Sequence, residues 1–246
     1  MKATADFVTW TSLGSATLSG GSYNFVDSGA RSLAQRFYAT KEGNTVSSNT
    51  YGFVNVTIPA GVGTITLIAN QLNNSSGNTV GALLQNVPNS TKVEKFIAAT
   101  QSWGPVSFYS ALSNTWSAGG ASFTMNPGEG ILVQNHVATN FTVTFIGDVP
   151  KAPQVNSGIP GTSGQFAMIS SIVPLSTNLN GMAFPAVNGD VASRWNVGTQ
   201  QYDTNTFSSG AWSPLVPTPN VGEAFFITSG TSSSRTWTEN VNISPP

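Results

Sequence analysis

Apolar and polar residues alternate over short stretches along most of the chain, and Gly, Asn or Pro stands at the ends of these stretches. A two-residue period is typical of β-strands with one buried face. Helical character is limited to residues 79–84, a single turn with Asn78 or Thr79 as its N-cap and with Leu83 and Leu84 facing inward. The pattern therefore predicts an all-β protein. The clearest predicted strands are residues 16–18, 23–26, 35–39, 53–58, 65–69, 92–97, 131–134, 141–146, 166–169, 191–195 and 224–228.

A series of similar sequence segments occurs twice along the chain, in the same order each time. Residues 96–103, FIAATQSW, align without a gap on residues 195–202, WNVGTQQY, and a basic residue precedes each segment. The other corresponding positions are LIAN at 67–70 and MISS at 168–171, Trp116 and Trp212, and NPGEGILV at 126–133 and NVGEAFFI at 220–227. The order is constant, and from Phe96 onward the offset between the copies shrinks from 99 to 94 residues in loop-sized steps. This pattern indicates an internal duplication.

We predict two repeated antiparallel β-modules, each a small barrel or sandwich, at residues 51–149 and 165–246. Residues 150–164 between them are rich in Pro, Gly and Ser, which is typical of a linker. Each module contains a hairpin that turns through Thr-Gln, so its two aromatic ends are expected to face each other across the strands. The expected pairs are Phe96 with Trp103 and Trp195 with Tyr202.

Residues 1–45 fit neither module. Residues 10–27, followed by QRFY at 35–38, resemble the closing strands of a fibronectin type III-like sandwich. So short a segment cannot form a seven-stranded sandwich alone. Two alternatives remain open: these strands extend the sheet of the first module, or they belong to the tail of a longer protein.

The paired segments resemble the tandem β-repeat modules of large secreted bacterial surface proteins, whose turns have an NPGEGFFV-like sequence. Residues 126–133 match that turn, and in residues 220–227 Val221 replaces the proline. The resemblance covers most of residues 51–240. It implies tandem packing and an extracellular location, and it carries no enzymatic activity over to this chain.

Charged residues are sparse. Asp, Glu, Lys and Arg make up only 8% of the chain, with a net charge of −1, against about 25% in an average soluble domain. Lys and Arg are too few and too scattered for nucleic-acid binding, which depends on clustered positive charge. Ser, Thr and Asn supply 82 of the 246 residues, as in many secreted bacterial β-proteins. This composition predicts an extracellular or cell-surface protein. No apolar run approaches the roughly 18 residues of a spanning helix, so we expect no membrane insertion.

Paired carboxylates are the strongest catalytic candidates. Glycoside hydrolysis needs only two carboxyl groups at a set separation, which suits a chain with few charges. The candidate acids are Glu129, Glu223, Asp190 and Asp203. Glu129 and Glu223 correspond between the copies, which favours a structural role that each performs in its own turn by accepting backbone N–H groups. A secreted hydrolase of the glycosidase type is therefore the alternative to a non-catalytic function.

Aromatic residues in polar, loop-rich stretches are the candidate ligand contacts. Trp103, Tyr109 and Tyr202 are expected on the surface, where a ring can stack on a sugar or anchor a partner protein. Trp116 and Trp212 correspond between the copies and are expected in the module cores.

Neither a cofactor nor a metal site is expected. His136 is the only histidine and the chain has no cysteine, so a zinc site would need an unusual ligand set. Asp190 and Asp203 offer oxygen ligands, but no spaced acidic loop for calcium accompanies them. We predict a non-catalytic protein for binding, adhesion or structural support, with a polysaccharide or a surface protein as its partner. Edge strands with few lysines add a third hypothesis, assembly into fibres or layers.

Overall fold

The computed structural model of the protein describes residues 1–15 and 24–243. Strands account for 38% of the structure and helices for 4%, and the sheets are antiparallel, which confirms the all-β prediction. The helix α1 covers Val80–Leu83, within the predicted helical turn, and the described residues also contain 3₁₀ turns at Ala30–Ser32 and Gly120–Ser122. The strands are β1 (Lys2–Thr4), β2 (Thr11–Ser12), β3 (Gln35–Ala39), β4 (Lys41–Glu42), β5 (Thr45–Val46), β6 (Tyr51–Ile58), β7 (Ile65–Ala69), β8 (Lys92–Glu94), β9 (Phe96–Ile97), β10 (Ser102–Trp103), β11 (Ser107–Ser110), β12 (Thr115–Trp116), β13 (Gly130–Gln134), β14 (Phe141–Asp148), β15 (Gln154–Asn156), β16 (Phe166–Ile169), β17 (Val191–Asn196), β18 (Gln201–Ser208), β19 (Ala211–Ser213), β20 (Phe225–Thr228) and β21 (Trp237–Glu239).

Two predicted segments differ from the structure. The predicted linker at residues 150–164 contains β15, which pairs with β21. Pro153 and Pro160 lie on either side of this strand, so they do not interrupt it. Residues 24–26 of the predicted strand 23–26 are not in a strand. Tyr23 and the predicted strand at 16–18 lie outside the described residues.

Sheet 1 joins the N-terminal segment to strands from the predicted first module. Its order is β14-β6-β3-β1-β2. β6 and β14 pair along their whole length, from Tyr51 opposite Asp148 to Ile58 opposite Phe141. The N-terminal strands therefore extend a module sheet, which is the first of the two alternatives left open by the sequence.

Sheets 2 and 3 have the same strand order at corresponding positions of the sequence. Sheet 2 runs β7-β13-β8-β11-β12, and sheet 3 runs β16-β20-β17-β18-β19. Each sheet faces a pair formed by the strands just before and just after it, β6 with β14 and β15 with β21. The same strand order, with a strand pair on one side, thus occurs in both halves of the chain.

Apolar side chains at alternate positions of the strands form the two main cores. Between sheets 1 and 2 lie the buried side chains of Phe37, Val54, Phe145, Ile68, Ile131 and others. Beneath sheet 3, the fully buried Trp237 contacts Phe184 edge to face and donates its indole N–H to the carbonyl of Met182 at 2.8 Å. A third cluster, which lies between sheets 2 and 3, contains Leu67, Ala69, Leu132, Met168, Ala224 and Phe226.

The two halves contact each other through equivalent backbone hydrogen bonds. The N–H of Ala69 donates to the carbonyl of Gly222 at 2.8 Å, and the N–H of Ser170 donates to the carbonyl of Gly128 at 3.0 Å. β7 and β16 are edge strands of their sheets. Each edge is therefore covered by the Gly-Glu turn of the opposite half.

Glycine is required in both turns. Gly128 and Gly222 have φ angles of +96° and +80°, which side chains rarely adopt. A Cβ on Gly222 would lie 2.3 Å from the Val56 side chain, and one on Gly128 would lie 2.9 Å from the Asn156 side chain. The shared glycine thus allows each turn to approach the first strand of the other half.

Candidate functional site

Each of the two corresponding hairpins places its two aromatic ends in contact across the strands. Phe96 and Trp103 lie opposite each other across β9 and β10, with ring centroids 5.6 Å apart. Trp195 and Tyr202 lie opposite each other across β17 and β18, at 4.8 Å. Both pairs meet edge to face, an arrangement that adds roughly 0.5–1.5 kcal/mol beyond burial. The predicted cross-strand pairing is confirmed in both hairpins.

The hairpins converge on Phe226 in β20. The ring of Trp103 lies 5.9 Å and that of Tyr202 lies 6.0 Å from the ring of Phe226. Phe166 adds a ring 6.0 Å from Phe96. Trp103 is 39% exposed, and Phe166 and Tyr202 are each 42% exposed. We name this cluster the aromatic face; its residues are Phe96, Trp103, Phe166, Trp195, Tyr202 and Phe226, of which Phe226 is buried.

A glutamine fixes each hairpin to the opposite half of the chain. The Gln101 amide accepts the N–H of Phe166 at 2.8 Å and donates to the carbonyl of Phe166 at 2.8 Å. The Gln200 amide bonds Ile65 in the same way, at 2.7 and 3.1 Å. One amide supplies both a donor and an acceptor, so it can replace a neighbouring strand at the backbone edge. The Thr-Gln pair in both copies is the sequence signal for this contact.

The aromatic face carries a neutral hydroxyl. Partial burial raises the pKa of the Tyr202 phenol above its ordinary value of 10.0. The hydroxyl therefore stays protonated at neutral pH. It can donate a hydrogen bond to a ligand without adding charge to the surface.

Glu129 and Glu223 lie in two separate turns. Each carboxylate accepts the backbone N–H of the asparagine three residues earlier, at 2.9 Å in both turns. Glu129 also pairs with Lys95 at 3.0 Å, and Glu223 pairs with Arg194 at 2.7 Å. The basic residue before each hairpin and the shared glutamate thus form the same local contact twice.

Asp190 and Asp203 have different environments. Asp190 is completely buried and forms two bonds to Arg235, at 2.6 and 2.7 Å. Breaking such a buried pair is costly, and the complete burial of Asp190 keeps its carboxylate out of contact with a substrate. Asp203 is exposed on β18 and accepts a hydrogen bond from Asn196 at 2.9 Å.

A cleft of about 540 Å³ adjoins the aromatic face at Trp195. Its walls are β6, β7, the β17–β18 hairpin and the turn before β20. Of the candidate acids, Asp203 and Glu223 line this cleft together. The lining residues are Asn55, Val56, Thr57, Thr66, Leu67, Arg194, Trp195, Asn196, Val197, Asp203, Asn220, Val221, Gly222 and Glu223.

Tyr109 is buried, so the prediction that it lies on the surface is wrong. Alternation along β11 turns Tyr109 inward at 5% exposure and Phe108 outward at 43%. The Tyr109 hydroxyl donates to Asn114 at 2.5 Å, and the ring packs beside Trp116 at a second cavity of about 380 Å³. Trp212 is buried and Trp116 is partly buried against a core, as the sequence predicts.

His136 follows β13 and packs edge-on against Phe108, with ring centroids 6.0 Å apart. Across residues 1–15 and 24–243, no three His, Cys, Asp or Glu side chains are grouped so that they could hold a metal ion. The same part of the chain contains no helix with the length and apolarity needed to cross a membrane. No family model, curated protein or solved structure matches the sequence.

Proposed function

We propose that this protein is a non-catalytic, extracellular or cell-surface binding protein and that the aromatic face binds a neutral polysaccharide. The observation that carries the proposal is the convergence of Trp103 and Tyr202, from opposite halves of the chain, on Phe226 with both rings still exposed. Exposed aromatic rings combine a large apolar surface with little conformational entropy to lose on binding. The C–H face of a sugar ring packs on such a surface, while its hydroxyls reach neighbouring polar groups.

The composition of the chain supports the extracellular part of the proposal. Its surface relies on hydroxyl and amide groups in place of charge, since only 8% of residues are charged. The identical order of sheets 2 and 3 supports two tandem modules that arose by duplication. In this proposal the shared residues maintain the scaffold and the exposed rings contact the ligand.

Affinity electrophoresis in soluble xylan, mixed-linkage β-glucan and galactomannan tests the binding function. We expect at least one polymer to retard the wild-type protein. Trp103→Ala and Tyr202→Ala should each weaken that binding at least tenfold, because truncating an aromatic anchor at the centre of a binding surface commonly costs about 1.4 kcal/mol or more. Phe108→Ala is the matched control, since Phe108 is 43% exposed and lies outside the aromatic face. Binding that survives both ring deletions would contradict the proposal.

A glycosidase is the second candidate, because Asp203 and Glu223 line one cleft beside Trp195. Against catalysis, the Glu223 carboxylate already accepts two bonds from Arg194, at 2.7 and 2.8 Å, and one from the backbone of Asn220. A screen for reducing sugars released from the same polymers separates the two functions. Release by the wild-type protein that is lost in both Asp203→Asn and Glu223→Gln would favour the enzyme.

A further inference from the structure

The cleft beside Trp195 contains polar residues that only one half of the chain has. Asn196 and Asp203 line the cleft and are hydrogen-bonded to each other at 2.9 Å. In the other half they correspond to Ile97 and Gly104. Asn196 also stabilises its own hairpin turn, because its Oδ1 accepts the N–H groups of Gly198 and Thr199 at 3.0 and 3.2 Å. Asp203, whose counterpart is a glycine, is the member of the pair that the common scaffold does not need.

Thr66 is a further polar residue of the cleft, and the folded chain leaves its hydroxyl without a partner. It lies in β7, lines the cleft and is only 7% exposed. Its hydroxyl makes no hydrogen bond within the described part of the chain. A buried hydroxyl without a partner costs free energy, and a ligand hydroxyl that reaches the Thr66 oxygen through a small shift of the cleft wall would recover this cost.

The charges of the cleft disfavour an anionic ligand. Arg194 is neutralised by its two bonds to Glu223, at 2.7 and 2.8 Å. Asp203 is the charged lining residue outside that pair, and it repels anions. Amide, hydroxyl and carboxylate groups together donate to and accept from the adjacent hydroxyls of a sugar.

We propose that this cleft binds the terminal sugars of a neutral oligosaccharide chain whose following units lie on the aromatic face. Trp195 lines the cleft and contacts Tyr202, so it lies where the cleft and the aromatic face meet. A volume of about 540 Å³ is within the range of small-molecule sites and suits a short chain end. This assignment rests on the proposed polysaccharide-binding function.

Titration calorimetry with hexasaccharides tests the cleft. The neutral probes are xylohexaose, cellohexaose and mannohexaose, and the charged probes are hexagalacturonate and the glucosamine hexamer. We expect a neutral hexasaccharide to bind best, and Asp203→Ala and Thr66→Val each to weaken it at least tenfold. Glu42→Ala and Thr142→Val, which change exposed residues outside the cleft, should bind as the wild type does.

Thr66→Val also provides a check on folding. Removing the unpaired hydroxyl should raise the melting temperature of the free protein by about 2–4 °C while it weakens ligand binding. Unchanged hexasaccharide affinity in both cleft variants would overturn the inference, as would tightest binding of a charged probe. If polymers still bind through Trp103 and Tyr202 while the cleft variants behave like the wild type, only the cleft assignment fails. If neither polymers nor hexasaccharides bind the wild type, both proposals fail.

Discussion

At the scale of single residues, Glu239 has the environment with the clearest consequence for stability. Its side chain is buried at the end of β21, with 1% of the residue exposed. The carboxylate accepts the backbone N–H groups of Ile172 and Val173, at 2.7 and 3.2 Å. Burial raises the pKa of Glu239 to about 7, and the two N–H donors limit the rise because they favour the charged form.

This raised pKa predicts a protein that becomes less stable as the pH rises. The folded chain holds the proton of Glu239 more tightly than the unfolded chain, whose ordinary pKa is 4.5. The stabilisation by the protonated Glu239 side chain is complete below pH 4.5 and is lost as the pH rises through about 7. The free energy of unfolding falls by about 3 kcal/mol over this range. Glu239→Gln should remove this decline, as measured by urea denaturation between pH 4 and pH 8. Glu42→Gln, at an exposed position, should retain it, and a decline that persists in Glu239→Gln would assign it to another group.

At the scale of elements, the equivalent contacts of Gln101 and Gln200 should contribute unequally to the free energy of unfolding. The bonds of Gln101 to Phe166 are exposed, whereas those of Gln200 to Ile65 are partly buried. Water can replace exposed bonds, so Gln101→Ala should cost about 0.5 kcal/mol and Gln200→Ala about 1–2 kcal/mol. Chemical denaturation measures both values. Equal costs would show that burial does not distinguish the two contacts.

The sequence predicts elements better than the contacts between them. β7 and β16 match their predicted limits because alternation and flanking turn residues are local signals. Phe226 corresponds to Leu132, so comparison of the copies cannot reveal that it joins the two hairpins. That contact exists only after sheets 2 and 3 pack together. Tyr109 lies next to Phe108, and alternation alone does not decide which of the two faces the core.

At the scale of the whole molecule, the two halves stabilise each other at their edges. The backbone of Ile68 bridges to Glu223, and that of Ile169 bridges to Glu129 at the corresponding position. Uncovered edge strands are templates for aggregation, so this mutual covering keeps β7 and β16 from pairing with other chains. Corresponding residues meet where the two halves come closest, and this contact limits the size of the side chains at that point.

Gly130 and Ala224 are the corresponding residues at this closest approach, and together they test the packing of the halves. A Cβ on Gly130 would lie 2.4 Å from the Cβ of Ala224 and 2.7 Å from the side chain of Met168, so the interface has room for one methyl group. Gly130→Ala should therefore destabilise the protein by about 1–3 kcal/mol. Combining it with Ala224→Gly moves the methyl group to the other half, so the double variant should be about 1 kcal/mol more stable than additivity predicts. Denaturation of the two single variants and the double variant gives this coupling energy, and strictly additive effects would mean that the two positions do not meet in solution.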